Sequence, residues 1–151
     1  LTAADQWSKS WAFDTLPGKG GAMDILPPVL SFTLSRNPGI ILGIGWQIPT
    51  LFLVTSFGIL AVLTVILWRK ALPWSWRLSL AAIASGALGN GLDRYQFKYV
   101  RDFIDVHVNT PWGPVVYPTF NVADSCICVG AAVLAIGLWR APPKPENAHA
   151  G

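Results

Sequence analysis

Residues Gly89–Asp124 read GNGLDRYQFKYVRDFIDVHVNTPWGPVVYPTFNVAD. The stretch leaves one apolar segment and enters another. Between them it carries Asp93, Arg94, Lys98, Arg101, Asp102, Asp105, His107 and Asp124, which include half of the chain's acidic residues. Carboxylates at the edge of oily segments are expensive and call for a reason. Its middle, Tyr99–Val108, alternates like a strand, with Val100, Asp102, Ile104, Val106 and Val108 on one face and Arg101, Phe103, Asp105 and His107 on the other. Asn109-Thr110-Pro111-Trp112-Gly113 is turn chemistry, and Val115-Val116-Tyr117 suits the returning strand. The stretch therefore predicts a hairpin held between two helices.

The flanking segments set the fold class. The chain has 151 residues, enough for one domain, with 52% hydrophobic and 13% charged residues. Soluble domains carry about 25% charged residues, so the deficit points to an integral membrane protein. Thr50–Trp68 has no charge, and about 20 such residues cross a bilayer core. Leu78–Leu92, starting near Trp74, is a second span rich in Ala, Gly and Ser. Its pairs Ala82/Gly86 and Ser85/Gly89 let helices approach closely. Val122–Trp139 is a third span, whose only ionisable side chain besides its thiols is Asp124. The predicted spans are thus 50–68, 74–92 and 122–139. Cys126 and Cys128 point in nearly opposite directions on a helix, so they read as wall residues rather than a disulfide.

Upstream, LTAADQWSK (1–9) reads as the last turns of a helix reaching water. Breakers Pro17-Gly18, Gly20-Gly21 and Pro27-Pro28 follow. Leu30, Phe32 and Leu34 then alternate with Ser31, Thr33 and Ser35, predicting extracytoplasmic strands over about 24–36 and, from the hairpin, 99–117. Residues 40–48 suit a short interfacial segment without a firm assignment. The Pro-rich tail 141–151 reads as a polar cytoplasmic extension. Arg69, Lys70, Arg77, Arg140 and Lys144 fall at one membrane face, which the positive-inside rule assigns to the cytoplasm. Lys9, Lys19, Arg36, Arg94, Lys98 and Arg101 fall at the other, most of them beside acids. The net charge of +3 is small and dispersed, and with no basic run it argues against nucleic acid.

Asp102 leaves the second span on a strand, and Asp124 opens the third. If the hairpin brings them together, one keeps a proton because two carboxylates sharing a site do not both ionise cheaply. The ionised acid can take a proton from water while the other donates to a carbonyl, which is peptide hydrolysis without a metal or cofactor. Spacing equally suits a solvated Asp102 and a first-turn Asp124 favoured by the helix dipole, so both readings stay open. Asn90, Asp93 and Arg94 share one helix face, as local ion-pair chemistry or as groups that hold a carbonyl. Asn121 suits an N-cap.

GNGLDR (89–94), VRDFID (100–105) and FNVAD (120–124), in this order between two spans, resemble the lipoprotein signal peptidase family, signal peptidase II. DQWSK (5–9) and RNPG (36–39) are similar to two further segments of that family, so the resemblance covers roughly residues 5–139. It implies an all-α integral membrane protein, an antiparallel four-helix bundle with a small extracytoplasmic β-cradle, whose first helix would be largely absent from this chain and end near Lys9. It implies an aspartic endopeptidase of the bacterial inner membrane, with its site on the outer side. Its substrates would be diacylglyceryl-prolipoproteins taken from membrane lipid, cut before the lipidated Cys. The enzyme would work as a monomer and without cofactor or metal. Carried over by motif, Asp102 and Asp124 are catalytic, while Asp5, Lys9, Asn37, Asn90, Asp93, Arg94 and Asn121 support the site or touch substrate. An apolar groove beside the two acids, roofed by Leu30, Phe32, Leu34, Val100 and Ile104, would admit the lipid sideways. The chain departs from the family at Lys98, where Gly is usual, at Arg101, where Val is usual, and at Ile40-Ile41. The competing class is a small membrane carrier or proton relay using the same acids.

Overall fold

The structure is a computed structural model describing residues 1–39, 49–69, 71–111 and 113–140. Among the described residues four α-helices, α1 (Thr2–Thr15), α2 (Pro49–Arg69), α3 (Trp74–Phe97) and α4 (Val122–Arg140), accompany four strands. The strands are β1 (Ala22–Leu26), β2 (Leu30–Asn37), β3 (Val100–Thr110) and β4 (Gly113–Val116), in an antiparallel sheet of order β1-β2-β3-β4. The expected segment 40–48 and the tail 141–151 lie outside the described residues.

Among the described residues α3 packs between α2 and α4, and α1 packs on α3 and α4. The small residues of α3 allow this. A Cβ at Gly86 would strike the Ala123 carbonyl and the Ile127 side chain of α4. The expected third span coincides with α4, which is long and apolar enough to cross a membrane. Val54–Trp68 of α2 is a shorter apolar helix. Val54, Val62, Val129 and Ile136 are exposed on α2 and α4, as are Trp68 and Trp139 near their ends.

One buried apolar cluster lies elsewhere, under the sheet. Ala12 and Leu16 meet Phe103, with Trp11, Phe32, Leu34 and Ile104 packed around them. Phe32 stands edge-on to both Trp11 and Phe103, at centroid distances of 5.8 and 5.4 Å.

One expectation needs correcting. The first helix does not end near Lys9. It runs to Thr15 and continues as a 3-10 turn over Leu16–Lys19, because Ala12 and Leu16 reach the core under the sheet. The helix α3 continues past the expected span 74–92 to Phe97 and carries Asp93 and Arg94 within it. Lys98 then reverses the chain at φ 69°, and its backbone N–H bonds the Arg94 carbonyl at 3.1 Å. A left-handed corner of this kind favours glycine. Finally, the start of β3 has no solvent face. Val100, Arg101, Asp102 and Phe103 are all buried, because α1 and α3 pack against the strand.

Candidate active site

The site forms where α1, the end of α3, β3 and the start of α4 converge. Asn121 precedes α4 and caps it. Its Oδ1 accepts the Asp124 N–H at 2.9 Å, and Asp124 Oδ2 accepts the Asn121 N–H at 3.2 Å, a reciprocal cap. The structural reading of FNVAD is therefore correct, yet it does not exhaust these residues. With Oδ1 on a backbone donor, the Asn121 amide nitrogen faces Asp102 and donates to its Oδ1 at 2.6 Å. The same nitrogen lies 3.2 Å from Asn90 Oδ1. The Asn90 amide nitrogen donates to Asp124 Oδ1 at 2.8 Å. One asparagine thus touches both carboxylates, and a second joins it to Asp124.

Beneath these amides lies a buried charge cluster. Lys9 Nζ is 2.9 Å from Asp5 Oδ2 and 3.5 Å from Asp93 Oδ2, with all three side chains at most 1% exposed. Nζ also donates to Asn90 Oδ1 at 3.0 Å. An ammonium only donates, so it fixes that amide with its oxygen toward Lys9 and its nitrogen toward Asp124. Asp5 Oδ1 accepts the Ala123 N–H at 2.9 Å, so an acid of α1 sits at the positive end of α4. A Cβ at Gly89 would lie 2.5 Å from Asp5 Oδ2, so only glycine admits that carboxylate against α3.

Arg101 completes the cluster. Its Nη2 meets Asp93 Oδ1 at 2.9 Å, and its backbone N–H donates to Asp93 Oδ2 at 2.9 Å. Nη2 also donates to Gln6 Oε1 at 3.0 Å and Nη1 to Ser10 Oγ at 3.2 Å. Gln6 Nε2 in turn donates to Asp5 and Asp93, each at 3.1 Å. Two acids and two bases therefore balance in the interior, as burial of charge demands. Gln6 and Arg101 are supporting residues that the sequence reading did not place in the site. Gln6 appeared there only within the DQWSK segment, and Arg101 only as a departure from the family it resembles.

Asp102 is 1% exposed. Burial pushes its carboxyl up to about 6, and the charge of Asp124 adds to the effect. Hydrogen bonds from Asn121 and Asn37 and the charge of Lys9 oppose it. Asn37 itself is exposed at the end of β2, with its Oδ1 accepting the Gly39 N–H at 2.9 Å. Arg94 is half-buried on α3, where the charges of Asp124, Asp102 and Asp93 bear on it. All nine residues singled out from the sequence thus belong to one neighbourhood. Asp105 and His107 do not join it but pair with each other at 3.1 Å. Among the described residues no group of three or more His, Cys, Asp or Glu side chains is placed to hold a metal ion.

Asp124, half-buried, opens onto a groove of about 430 Å³. Val106, Val108, Val115, Tyr117 and Phe120 line it from the hairpin side, and Ser125, Cys128 and Val129 from α4. The groove was expected, but its roof was not. Phe32, Leu34 and Ile104 pack around the core instead, because the far half of the hairpin, not β2, reaches over α4.

The fold is shared with solved bacterial membrane enzymes. One, solved by the in meso method at 1.9 Å, superposes with a TM-score of 0.79 at 29% identity, covering 93% of this chain and 88% of that one. Another, at 2.3 Å, gives 0.78 at 27% identity over 97% and 89%. Residues 1–140 match the family described as Signal peptidase (SPase) II. Lipoprotein signal peptidases are similar along most of their length. That of Oleidesulfovibrio alaskensis is 33% identical, covering 93% of this chain and 90% of the relative. That of Shewanella loihica is 38% identical, covering 95% and 84%. The chain belongs to the signal peptidase II family, the membrane peptidases of lipoprotein processing.

Proposed function

We propose that the chain removes signal peptides from prolipoproteins as an aspartic endopeptidase, with Asp102 and Asp124 as its catalytic pair. The observation that carries this reading is Asn121 bonded to both carboxylates, beside an apolar groove onto which Asp124 opens. Asp102, buried and hard to ionise, holds the shared proton. Asp124, nearer the groove, is the base. It takes a proton from water as the water oxygen attacks the scissile carbonyl carbon, and Asp102 gives its proton to the carbonyl oxygen. When the resulting diol collapses, the C–N bond breaks, the proton on Asp124 passes to the leaving amine and Asp102 regains its own. One water is added across one peptide bond. Arg94, permanently charged, orients the substrate backbone rather than transferring a proton. Asn90 and Asn121 hold the carboxylates, and Asp5, Lys9 and Asp93 hold the asparagines. Asn37 stands at the rim.

On this reading α2, α3 and α4 cross a bacterial inner membrane, with the sheet on the outer side. The substrate is a diacylglyceryl-prolipoprotein cut before its lipidated Cys by a monomeric enzyme. A carrier or proton relay is disfavoured. The chain's relatives are peptidases, and away from the sheet end the expected spans hold as ionisable groups only Arg77, near the far end of 74–92, and two thiols. The test is cleavage of a lipidated precursor by purified Asp102→Asn and Asp124→Asn chains. Each is expected to lose at least about a thousandfold in kcat with the fold intact, since the two acids act as a unit. Retention of a tenth of the parent rate by either would exclude the mechanism.

A further inference from the structure

Of the cations near the sheet end, Lys9 and Arg101 are buried in ion pairs with Asp5 and Asp93. Arg36 and Lys98 differ. Both are exposed, and among the described residues neither is ion-paired to a carboxylate. Each instead sits on a tyrosine, the Arg36 guanidinium 5.5 Å from the Tyr99 ring centroid and the Lys98 ammonium 5.8 Å from that of Tyr95. They flank one corner of the molecule. Lys98 turns α3 into β3, and Arg36 pairs in register with Arg101, the second residue of β3. Tyr95 is 66% exposed, and amphipathic rings of this kind sit at headgroup level in a bilayer. Lys98 donates to the Tyr95 carbonyl at 3.0 Å, one of the three N–H bonds an ammonium can make. It also holds a left-handed backbone, φ 69°, that glycine would adopt without strain, so the lysine is not there for the turn.

We propose that Arg36 and Lys98, backed by Tyr99 and Tyr95, bind the headgroup phosphate of an anionic phospholipid at the outer membrane boundary. The chemistry is a guanidinium fork and a second point charge on one phosphodiester, with neither cation ion-paired to a carboxylate among the described residues. The residue before Arg36, Ser35, pairs in register with Asp102, so the lipid sits at the rim of the candidate active site. This inference rests on the membrane reading above, not on the peptidase chemistry.

The experiment uses the full chain in a neutral detergent, titrated with phosphatidylglycerol or with phosphatidylcholine of the same acyl chains, and read by native mass spectrometry. Phosphatidylglycerol is expected to bind at roughly tenfold lower concentration, from two basic groups near an anionic surface. The double variant Arg36→Gln/Lys98→Gly should bind both lipids alike. Because Lys98→Gly relieves the left-handed corner, that variant should melt no lower than the parent. Equal binding of the two lipids by the parent, or an undiminished preference in the folded variant, overturns the proposal. So does inorganic phosphate that competes at the concentration of the lipid. Precursor cleavage is measured separately. A parent that cleaves but shows no lipid preference defeats only this proposal, whereas a lipid preference without cleavage supports it and defeats the peptidase reading.

Discussion

Asp102 and Asp124 share an asparagine but not an environment. Asp102 is sealed at the start of β3, while Asp124 is half-buried at the groove. The raised pKa of Asp102 has a consequence for stability. Its carboxyl moves from 3.8 to about 6 on folding, so the folded chain binds this proton more tightly than the unfolded one. The stabilisation is fully present below about pH 4 and is lost as pH rises through about 6. At 1.36 kcal/mol per unit the loss is on the order of 3 kcal/mol. Asp102→Asn keeps an oxygen for the Asn121 amide and has no charge to bury. It should therefore melt above the parent in detergent at pH 7, and the difference should close as pH falls toward 4. An asparagine variant that melts below the parent at pH 7 would show that Asp102 is not held against its own ionisation. The opposing effects on activity and stability are those expected where catalysis needs an ionisable acid that the fold would hold more cheaply as a neutral amide.

At the scale of elements, the site depends on β3 being pinned to α1 and α3, and Arg101 is the pin. Its side chain bonds Asp93 on α3 and both Gln6 and Ser10 on α1. Its guanidinium also lies 4.5 Å from the Phe97 ring centroid. Removing it leaves Asp93 with Lys9 at 3.5 Å as its remaining cation. Breaking a buried pair costs about 3–5 kcal/mol, so Arg101→Gln should lower stability by about that much. Arg101→Lys should recover part of it, having the charge but not the fork. Thermal unfolding in detergent measures both, and a Gln variant within about half a kcal/mol of the parent would remove Arg101 from the framework. The same residue shows where sequence reading stops. Hydropathy and turn chemistry suffice to find the hairpin and the apolar core of each long helix, because those depend on local pattern. Motif order suffices to name Asp102, Asp124 and their asparagines. Alternation along β3, however, says only that Arg101 and Asp102 lie on opposite faces, since period two records which side a residue points to, not whether α1 covers that side. The reach of α1 to Thr15 was hidden for a similar reason. Its polar look comes from Asp5, Gln6, Lys9 and Ser10, which are satisfied by partners more than 80 positions away.

For the whole molecule, the order of layers matters: an apolar helical layer, a belt of amides and acids, and a sheet above. The groove beside Asp124 lies between the hairpin and α4, and its α4 side includes exposed Cys128 and Val129. It therefore opens toward the outward face of α4, which on the membrane reading faces lipid. A diacylglyceryl substrate approaching from that side keeps its acyl chains in the bilayer while its scissile bond reaches the acids. Withdrawing those chains would forfeit about 0.8 kcal/mol per CH₂, so entry through the aqueous face is closed to it. Lipidation then acts by placing the bond, an effect on kcat/KM with no contact needed at the carboxylates. Two precursors with one peptide sequence, with and without the diacylglyceryl group on Cys, should differ by at least about a hundredfold in kcat/KM in a bilayer, on the scale of correct positioning. Val129→Trp narrows the opening from α4 without touching either acid. It should slow the lipidated precursor severalfold and leave the already poor cleavage of the unlipidated one nearly unchanged. Equal cleavage of the two precursors by the parent would mean that the substrate does not come through the lipid-facing groove. In that case the apolar lining of Val106, Val108, Val115 and Phe120 would need another occupant.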